Sequence, residues 1–176
     1  MHRRTFLTSA SLTVGAALIA PTLLAQSDTT PPKPAAPPKP PRLADDLVRD
    51  FVAAGHNDLV KVKAMLAEQP NLLYATWDWG GGDFETALEG AGHVGDSEIA
   101  EFLIGQGARP NLFVLTMLGK TALVKMALEE FPALLNAKGP HGFTLLHHAK
   151  RGGDPAAELY AYLESKGLKE TKLSLW

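Results

Sequence analysis

Histidines and carboxylates are the residues of this chain whose side chains could bind a metal ion or transfer protons. Those that lie close together in the sequence form two groups: Asp83, Glu89 and His93 in one, and His141, His147 and His148 in the other. His147 and His148 are neighbours, so on a helix their side chains point apart. No spacing among these residues matches a known metal-ligand or catalytic motif. We therefore expect no metal ion, no cofactor and no catalytic residue; an enzyme site around Asp83, His93 and His141 is the alternative.

Other reactive groups lack the partners that their chemistry needs. A serine or threonine nucleophile requires a positioned base, and the sequence contains no Gly-x-Ser-x-Gly turn. Gly80, Gly81 and Gly82 are consecutive, but no Lys-Ser or Lys-Thr pair follows them as in a phosphate-binding loop. We expect a flexible turn there. The chain has no cysteine, which excludes disulfides and thiolate metal ligands.

Composition and charge are those of a globular protein that does not bind nucleic acid. Of 176 residues, 45% are hydrophobic and 20% charged, which is enough apolar material for one modest core. Lys and Arg number 17 against 19 Asp and Glu, and without residues 1–27 the counts are 15 and 19, a net charge near −4. Binding to nucleic acid needs a basic surface that displaces counterions from phosphates, so the charge argues against that class.

Residues 1–27 have the three parts of a secretory signal: a basic start, an uncharged stretch and small residues near the end. Arg3 and Arg4, followed by Phe6 and Leu7, resemble the bacterial twin-arginine export signal. A chance Arg pair in a general secretory signal is the alternative. Serine, threonine and glycine dilute the apolar stretch below the ~20 residues that a spanning helix needs. We expect export to the periplasm, with a membrane tether only if the signal is not cleaved.

Residues 28–42 are rich in proline, which has no backbone N–H and favours an extended polyproline conformation. We interpret this segment as a linker, with a proline-rich docking ligand as the alternative. The folded domain is expected to begin near Leu43.

The rest of the chain consists of internal repeats with helical periodicity and no convincing strand pattern. Residues 62–75 and 124–137 are identical at eight of 14 positions without a gap. A second set of four residues recurs at a constant offset of 58: Thr86, Leu88, Ala91 and Gly95 against Thr144, Leu146, Ala149 and Gly153.

Residues 86–111, TALEGAGHVGDSEIAEFLIGQGARPN, resemble one ankyrin repeat, and residues 144–153, TLLHHAKRGG, resemble the start of another. The family pattern begins with Thr-x-Leu-His, continues with small residues and Gly, and ends with paired apolar residues, Gly-Ala and Asn. The resemblance implies a solenoid of paired helices with finger loops, and a structural role for His147 in bonding backbone. It also implies that His93 and His148, two units apart, are separated by roughly 20 Å, since neighbouring helices pack about 8 to 10 Å apart.

The turns between paired helices are predicted at Asn57, Gly95, Gly119 and Gly153, at spacings of 38, 24 and 34 residues. An ankyrin unit has about 33 residues. The long first spacing predicts an enlarged finger at residues 77–84, WDWGGGDF, and the short second spacing predicts that the third unit lacks its finger.

Capping residues and apolar residues support these helices. Thr86 with Glu89 has the spacing of a capping box, Asp58 and Asp96 are expected to cap second helices, and Asp154 before a proline is expected to cap the last. Small residues on first helices allow close stacking: Ala53, Ala54, Ala91, Gly92 and Ala149. The predicted core between units comprises Val62, Met65, Leu66, Leu103, Ile104, Leu123, Leu128 and Leu163.

The sequence therefore predicts an all-α, ankyrin-like solenoid of about four units over residues 43–168, followed by a tail at 169–176. Its expected function is non-catalytic binding of another protein. Ankyrin-type proteins bind through fingers and first helices, and tryptophan is favoured at interaction hot spots. The predicted partner surface comprises Trp77, Asp78, Trp79, Asp83, Phe84, Glu89, His93, His141 and His148. Alternatively, Trp77 and Trp79 fold back and only hold the long loop.

Overall fold

The computed structural model describes residues 39–176, and this part of the chain is mostly helical, as predicted. Its α-helices are α1 (Asp45–Ala54), α2 (Leu59–Glu68), α3 (Ala87–Val94), α4 (Ser97–Gly105), α5 (Leu112–Met117), α6 (Thr121–Glu130), α7 (Leu145–Gly152) and α8 (Ala157–Ser165). The predicted export signal and residues 28–38 of the predicted linker lie outside the described residues. Within residues 39–176, no helix is long and apolar enough to cross a membrane.

The helices follow one another in pairs. Each odd-numbered helix packs against the next helix in the chain, and α1, α3, α5 and α7 pack against one another in that order. The four predicted turn residues, Asn57, Gly95, Gly119 and Gly153, all lie between the two helices of a pair. The two similar segments also fold alike. In each, a helix is followed by a 3₁₀ turn that begins at a proline, Pro70–Tyr74 in one case and Pro132–Asn136 in the other.

A short antiparallel hairpin stands before α3, at the position of the predicted enlarged finger. Strand β1 (Thr76–Asp78) pairs with β2 (Phe84–Thr86), with Trp77 opposite Glu85. The three glycines of the turn all have positive φ, a conformation that glycine adopts without steric cost. The sequence shows no convincing strand pattern here, because strands of three residues are too short to produce a recognisable alternation. By contrast, only six residues separate α4 from α5, and no strand lies between them.

Most of the predicted caps form. Thr86 and Glu89 make a complete capping box at α3, and the side chains of Asp58 and Asp96 accept hydrogen bonds from the first turns of α2 and α4. The prediction for Asp154 is wrong. Residues Asp154–Ala156 form a separate 3₁₀ turn before α8, and the Asp154 side chain makes no capping hydrogen bond.

The core residues fall into two clusters, one around α1 to α5 and one around α6 to α8. Among the predicted core residues, Val62, Leu103 and Leu163 are fully buried. The prediction that Leu123 belongs to the core is wrong. Its side chain is 52% exposed, because Val124 and Leu128 are the residues of α6 that face the core. Ala53 is also exposed, whereas its neighbour Ala54 is buried.

The tail at residues 169–176 runs back along the chain segment that leads into α7. The Thr144 backbone N–H donates to the Thr171 carbonyl at 3.1 Å, and the Leu173 N–H donates to the Gly142 carbonyl at 2.9 Å. The Thr144 hydroxyl also donates to the Glu170 carbonyl at 2.7 Å. These bonds hold the 3₁₀ turn Pro140–Gly142 in place.

Candidate functional site

Five polar side chains from distant parts of the sequence meet beside the hairpin: His56, Asp83, Glu85, His93 and His141. His56 follows the end of α1, and His93 lies in the last turn of α3. Asp83 and Glu85 come from the second half of the hairpin, and His141 comes from the turn before α7. We call these five residues the polar cluster.

Glu85 is the most buried member of the polar cluster, with no solvent-exposed area. Side chains alternate along β2, so Asp83 and Glu85 face the protein, whereas Phe84 between them is 59% exposed. The Trp79 indole N–H donates to Glu85 Oε2 at 2.7 Å. Burial alone raises the pKa of Glu85, but contacts with His93, His56 and Trp79 together outweigh it and lower the pKa below its ordinary value. Glu85 is therefore a buried carboxylate anion.

The other carboxylate oxygen, Glu85 Oε1, is the one buried side-chain atom among residues 39–176 without a hydrogen-bond partner. His93 Nε2 lies 2.9 Å from it and His141 Nε2 3.5 Å from it, so a protonated ring at either position would form an ion pair with this oxygen. A buried polar atom without a partner costs about 1 to 3 kcal/mol, and more when it is charged.

His56 points its Nε2 atom into the polar cluster. Its Nδ1 lies 3.2 Å from the Val52 carbonyl and 3.1 Å from the Ala53 carbonyl. A carbonyl only accepts, so Nδ1 carries a hydrogen and donates to these oxygens. His56 Nε2 lies 3.0 Å from His93 Nε2. The ring fits against α3 because residue 90 is glycine: a Cβ there would lie 3.0 Å from His56 Cε1.

His141 is held by Asp83 through two hydrogen bonds. Its backbone N–H donates to Asp83 Oδ1 at 2.8 Å, and its Nδ1 donates to Asp83 Oδ2 at 2.6 Å. His141 is also the one residue other than glycine with positive φ within residues 39–176, at 59°. Such a conformation is uncommon and tends to occur at functional sites.

A stack of rings supports the polar cluster from the side of α7. The His93 ring stacks on Phe143 at 5.2 Å, and Phe143 stacks on His147 at 3.9 Å between centroids. His147 Nε2 donates to the backbone carbonyl of His93 at 2.8 Å, which agrees with the structural role predicted for this histidine. Burial, more than any other effect, lowers the pKa of His147.

The structure brings together four of the predicted site residues: Trp79, Asp83, His93 and His141. The ring centroids of His93 and His141 are 5.1 Å apart. The expected separation of roughly 20 Å between His93 and His148 is wrong as well, because His147, the neighbour of His148, donates to the His93 carbonyl at 2.8 Å. The reason is that α5 has only six residues and α7 packs against α3 as well as against α5.

The remaining predicted site residues lie outside the polar cluster. Trp77 is half-buried, Phe84 is exposed, and Asp78 Oδ1 accepts hydrogen bonds from Gly80 and Gly82 in the hairpin turn. Glu89 is occupied in the capping box and by a 2.7 Å hydrogen bond that Asn111 donates to it.

The placement of His148 on a partner surface is wrong. The side chain is 1% exposed and packs against Phe113, and its Nδ1 donates to the Thr144 carbonyl at 2.8 Å. Burial lowers the pKa of His148 to about 4. His148 is therefore a neutral core residue.

Sequence reasoning missed two members of the polar cluster, His56 and Glu85. Two signals could have found them. His56 comes just before a predicted helix-pair turn, much as His93 does, and Glu85 lies two residues after Asp83 on the same face of a strand. The donor atoms of His56, Glu85, His93 and His141 all lie within 4.8 Å of one another, and these four residues could hold a metal ion.

No family model matches the chain, and comparisons with curated proteins and with solved structures found no match.

Proposed function

We propose that the chain is an exported, ankyrin-like repeat module that binds another protein in the periplasm without catalysing a reaction. The repeated sequence segments, the four consecutive helix pairs and the order in which the odd-numbered helices pack support the repeat architecture. The resemblance of residues 1–27 to an export signal supports the location. The acidic balance of the chain argues for a protein partner over nucleic acid.

The observation that carries the proposal is an exposed aromatic side chain beside a cleft with both apolar and charged lining residues. A cleft of about 430 Å³ lies between α1 and the hairpin, and Val48, Trp77 and Phe84 are among its lining residues. Phe84 is 59% exposed at its edge. Clefts of this size accept ligand side chains, and aromatic residues are enriched at the centres of protein interfaces. Phe84 and Trp77 are thus the recognition residues of this proposal.

Trp79 has a different role within the proposal. Its indole N–H is bonded to Glu85, and its ring lies 6.4 Å from that of His56 and 6.3 Å from that of His141. These contacts favour the alternative in which Trp79 holds the hairpin against the domain.

Photo-crosslinking from two matched positions tests this function. A benzoylphenylalanine replaces either Phe84 or Phe131, which is 60% exposed on the segment after α6 and lies far from the cleft in sequence. We expect one periplasmic protein to crosslink from position 84 and not from position 131. Phe84→Ala should reduce retention of that protein while leaving the melting temperature within about 2 °C, since exposed positions contribute little to stability. Identical crosslinks from both positions, or none from position 84, would contradict the proposal.

A second candidate is an enzyme or enzyme accessory, and the contacts among Asp83, His93 and His141 favour it. An Asp that orients a His resembles an acid–base pair. The test is hydrolysis of generic ester, phosphate and peptide substrates by the full chain, beside the variant His141→Gln. Activity that disappears in this variant would support catalysis, and no activity in the parent would leave the binding module as the function.

A further inference from the structure

We propose that His56, Glu85, His93 and His141 bind one divalent transition metal ion of the Zn²⁺ class. This inference does not depend on the proposed protein-binding function. It concerns four side chains that come from four separate parts of the chain and converge on one point.

The first argument is the direction in which the histidines point. His56 Nδ1 donates to backbone carbonyls, and His141 Nδ1 donates to Asp83. In both rings the neutral tautomer then leaves a lone pair on Nε2, the atom that faces Glu85. A metal-binding histidine almost always donates its other N–H to a carbonyl or carboxylate in this way, because that bond fixes the tautomer and the ring orientation.

The second argument is the spacing of the donor atoms. With Zn–N and Zn–O bonds of about 2.0 to 2.2 Å, ligand atoms at the corners of a tetrahedron lie about 3.3 to 3.5 Å apart. Here His56 Nε2 is 3.0 Å from His93 Nε2, and Glu85 Oε1 is 2.9 Å from His93 Nε2 and 3.5 Å from His141 Nε2. The remaining pairs of donor atoms lie within 4.8 Å of one another, so the side chains would move together by up to about an ångström to reach tetrahedral coordination.

The third argument is the unpartnered oxygen of Glu85. Trp79 donates to Oε2, which lies 3.5 Å from His56 Nε2, whereas Oε1 faces His93 Nε2 and His141 Nε2 and has no hydrogen-bond partner. A carboxylate with one oxygen held by a hydrogen-bond donor and the other free is arranged to bind a metal through a single oxygen. The metal ion would satisfy the buried charge that otherwise has no complete set of partners.

A proton shared among the histidines explains less of the geometry. With a lone pair on His56 Nε2, a hydrogen on His93 Nε2 could bridge the 3.0 Å gap between these two atoms. That arrangement leaves Glu85 Oε1 without a donor, and a hydrogen directed from His93 Nε2 to Oε1 instead leaves the two Nε2 atoms 3.0 Å apart with no hydrogen between them. A metal ion would engage all of these atoms at once.

The donor set selects the class of ion. Three imidazole nitrogens and one carboxylate oxygen suit Zn²⁺ and its transition-metal neighbours, whereas Mg²⁺ and Ca²⁺ prefer oxygen ligands alone. The protein supplies ligands for all four coordination positions of a tetrahedral ion, which is the arrangement of a structural site. The ion would tie the end of α1, the hairpin, α3 and the turn before α7 together, and so hold the hairpin in one position.

Calorimetric titration of the full chain with Zn²⁺ tests the site. The protein is prepared without a polyhistidine tag and is dialysed first against a chelator and then against metal-free buffer. We expect one equivalent of Zn²⁺ to bind with a dissociation constant well below 1 μM, because structural sites of this kind bind tightly. A parent chain that binds Zn²⁺ only more weakly than about 10 μM would overturn the proposal.

Variants separate the proposed ligands from other histidines. Glu85→Gln and His56→Gln should each weaken Zn²⁺ binding by more than the roughly 100-fold that loss of an orienting residue can cause. His147→Gln is the comparison variant: it also removes one histidine, but His147 Nε2 donates to the backbone carbonyl of His93 and is not a ligand. Because His147 supports His93 without binding the metal, its loss should weaken Zn²⁺ binding by about 10-fold at most, clearly less than the loss of a ligand. Equal losses in His147→Gln and His56→Gln, with helical content unchanged in both, would show that the proposed ligands are wrong.

Discussion

Replacing Asp83 by Asn changes the proposed metal site without replacing any of its four ligands. Asp83 is 9% exposed and uses both oxygens on His141, one for the backbone N–H at 2.8 Å and one for Nδ1 at 2.6 Å. An Asn side chain offers one oxygen and one NH₂ group, so it can accept from only one of these two donors. The other donor then faces an NH₂ group, which disfavours the tautomer that leaves His141 Nε2 free to bind metal.

The expected loss follows from this change. Removal of a residue that orients a metal-binding histidine typically weakens affinity by about 10- to 100-fold, which corresponds to about 1.4 to 2.7 kcal/mol. The measurement is Zn²⁺ affinity of the full chain by competition with a chelator, together with the melting temperature in excess chelator. The second quantity reports any loss of stability that is independent of metal.

Asp78→Asn is the control, because Asp78 is the other aspartate of the same hairpin. Its Oδ1 accepts from the backbone of Gly80 and Gly82, and an Asn oxygen can keep both bonds. We expect Zn²⁺ affinity close to that of the parent. If Asp83→Asn binds Zn²⁺ within twofold of the parent, or if both variants lose affinity equally, the orienting role assigned to Asp83 is refuted.

Three further predictions concern the core, the pH dependence of stability and export. Leu103→Ala should lower the free energy of unfolding by about 2 to 5 kcal/mol in urea titrations, since Leu103 is 1% exposed; a loss below about 0.5 kcal/mol would be that of a surface residue. The pKa of His148 is about 4 in the folded protein against 6.5 ordinarily, so the unfolded chain binds a proton first as pH falls. The free energy of unfolding should therefore fall by about 3 kcal/mol between pH 6.5 and 4. When parent and variant are both measured in excess chelator, His148→Asn should show a smaller fall. An equal fall in the two proteins would refute the assignment of His148 as a neutral core residue. Replacing Arg3 and Arg4 together by Lys should block export if the signal is of the twin-arginine type, whereas export measured by cell fractionation that stays unchanged would indicate the general route.

The helices and their pairing could be predicted from local sequence. Thr86, Asp58 and Asp96 cap helices as expected because a capping bond spans only three residues. The turn glycines also act locally, through their own backbone conformation. Leu123 shows the limit of this reasoning: adjacent apolar residues on α6 compete for the core, and only packing decides that Val124 is the buried one.

The polar cluster was only partly predictable. Asp83, His93 and His141 were recognised as one alternative site, but His56 and Glu85 join them through contacts between segments about 30 to 60 residues apart, which local patterns do not encode. The assumption that successive units keep a regular spacing places His93 and His148 roughly 20 Å apart, whereas His147, the neighbour of His148, bonds directly to the backbone of His93. The prediction for His148 is wrong because only one of the two adjacent histidines on α7 faces the core. The rotation of the helix about its axis decides which of the two it is.

The most direct test of the metal site is an anomalous difference map, recorded at the zinc absorption edge from crystals of the full chain grown with one equivalent of Zn²⁺. We predict a single strong peak at about 2.0 to 2.2 Å from Nε2 of His56, His93 and His141 and from Oε1 of Glu85. A map with no peak among these four atoms, or with the zinc bound only elsewhere on the chain, would contradict the proposed site.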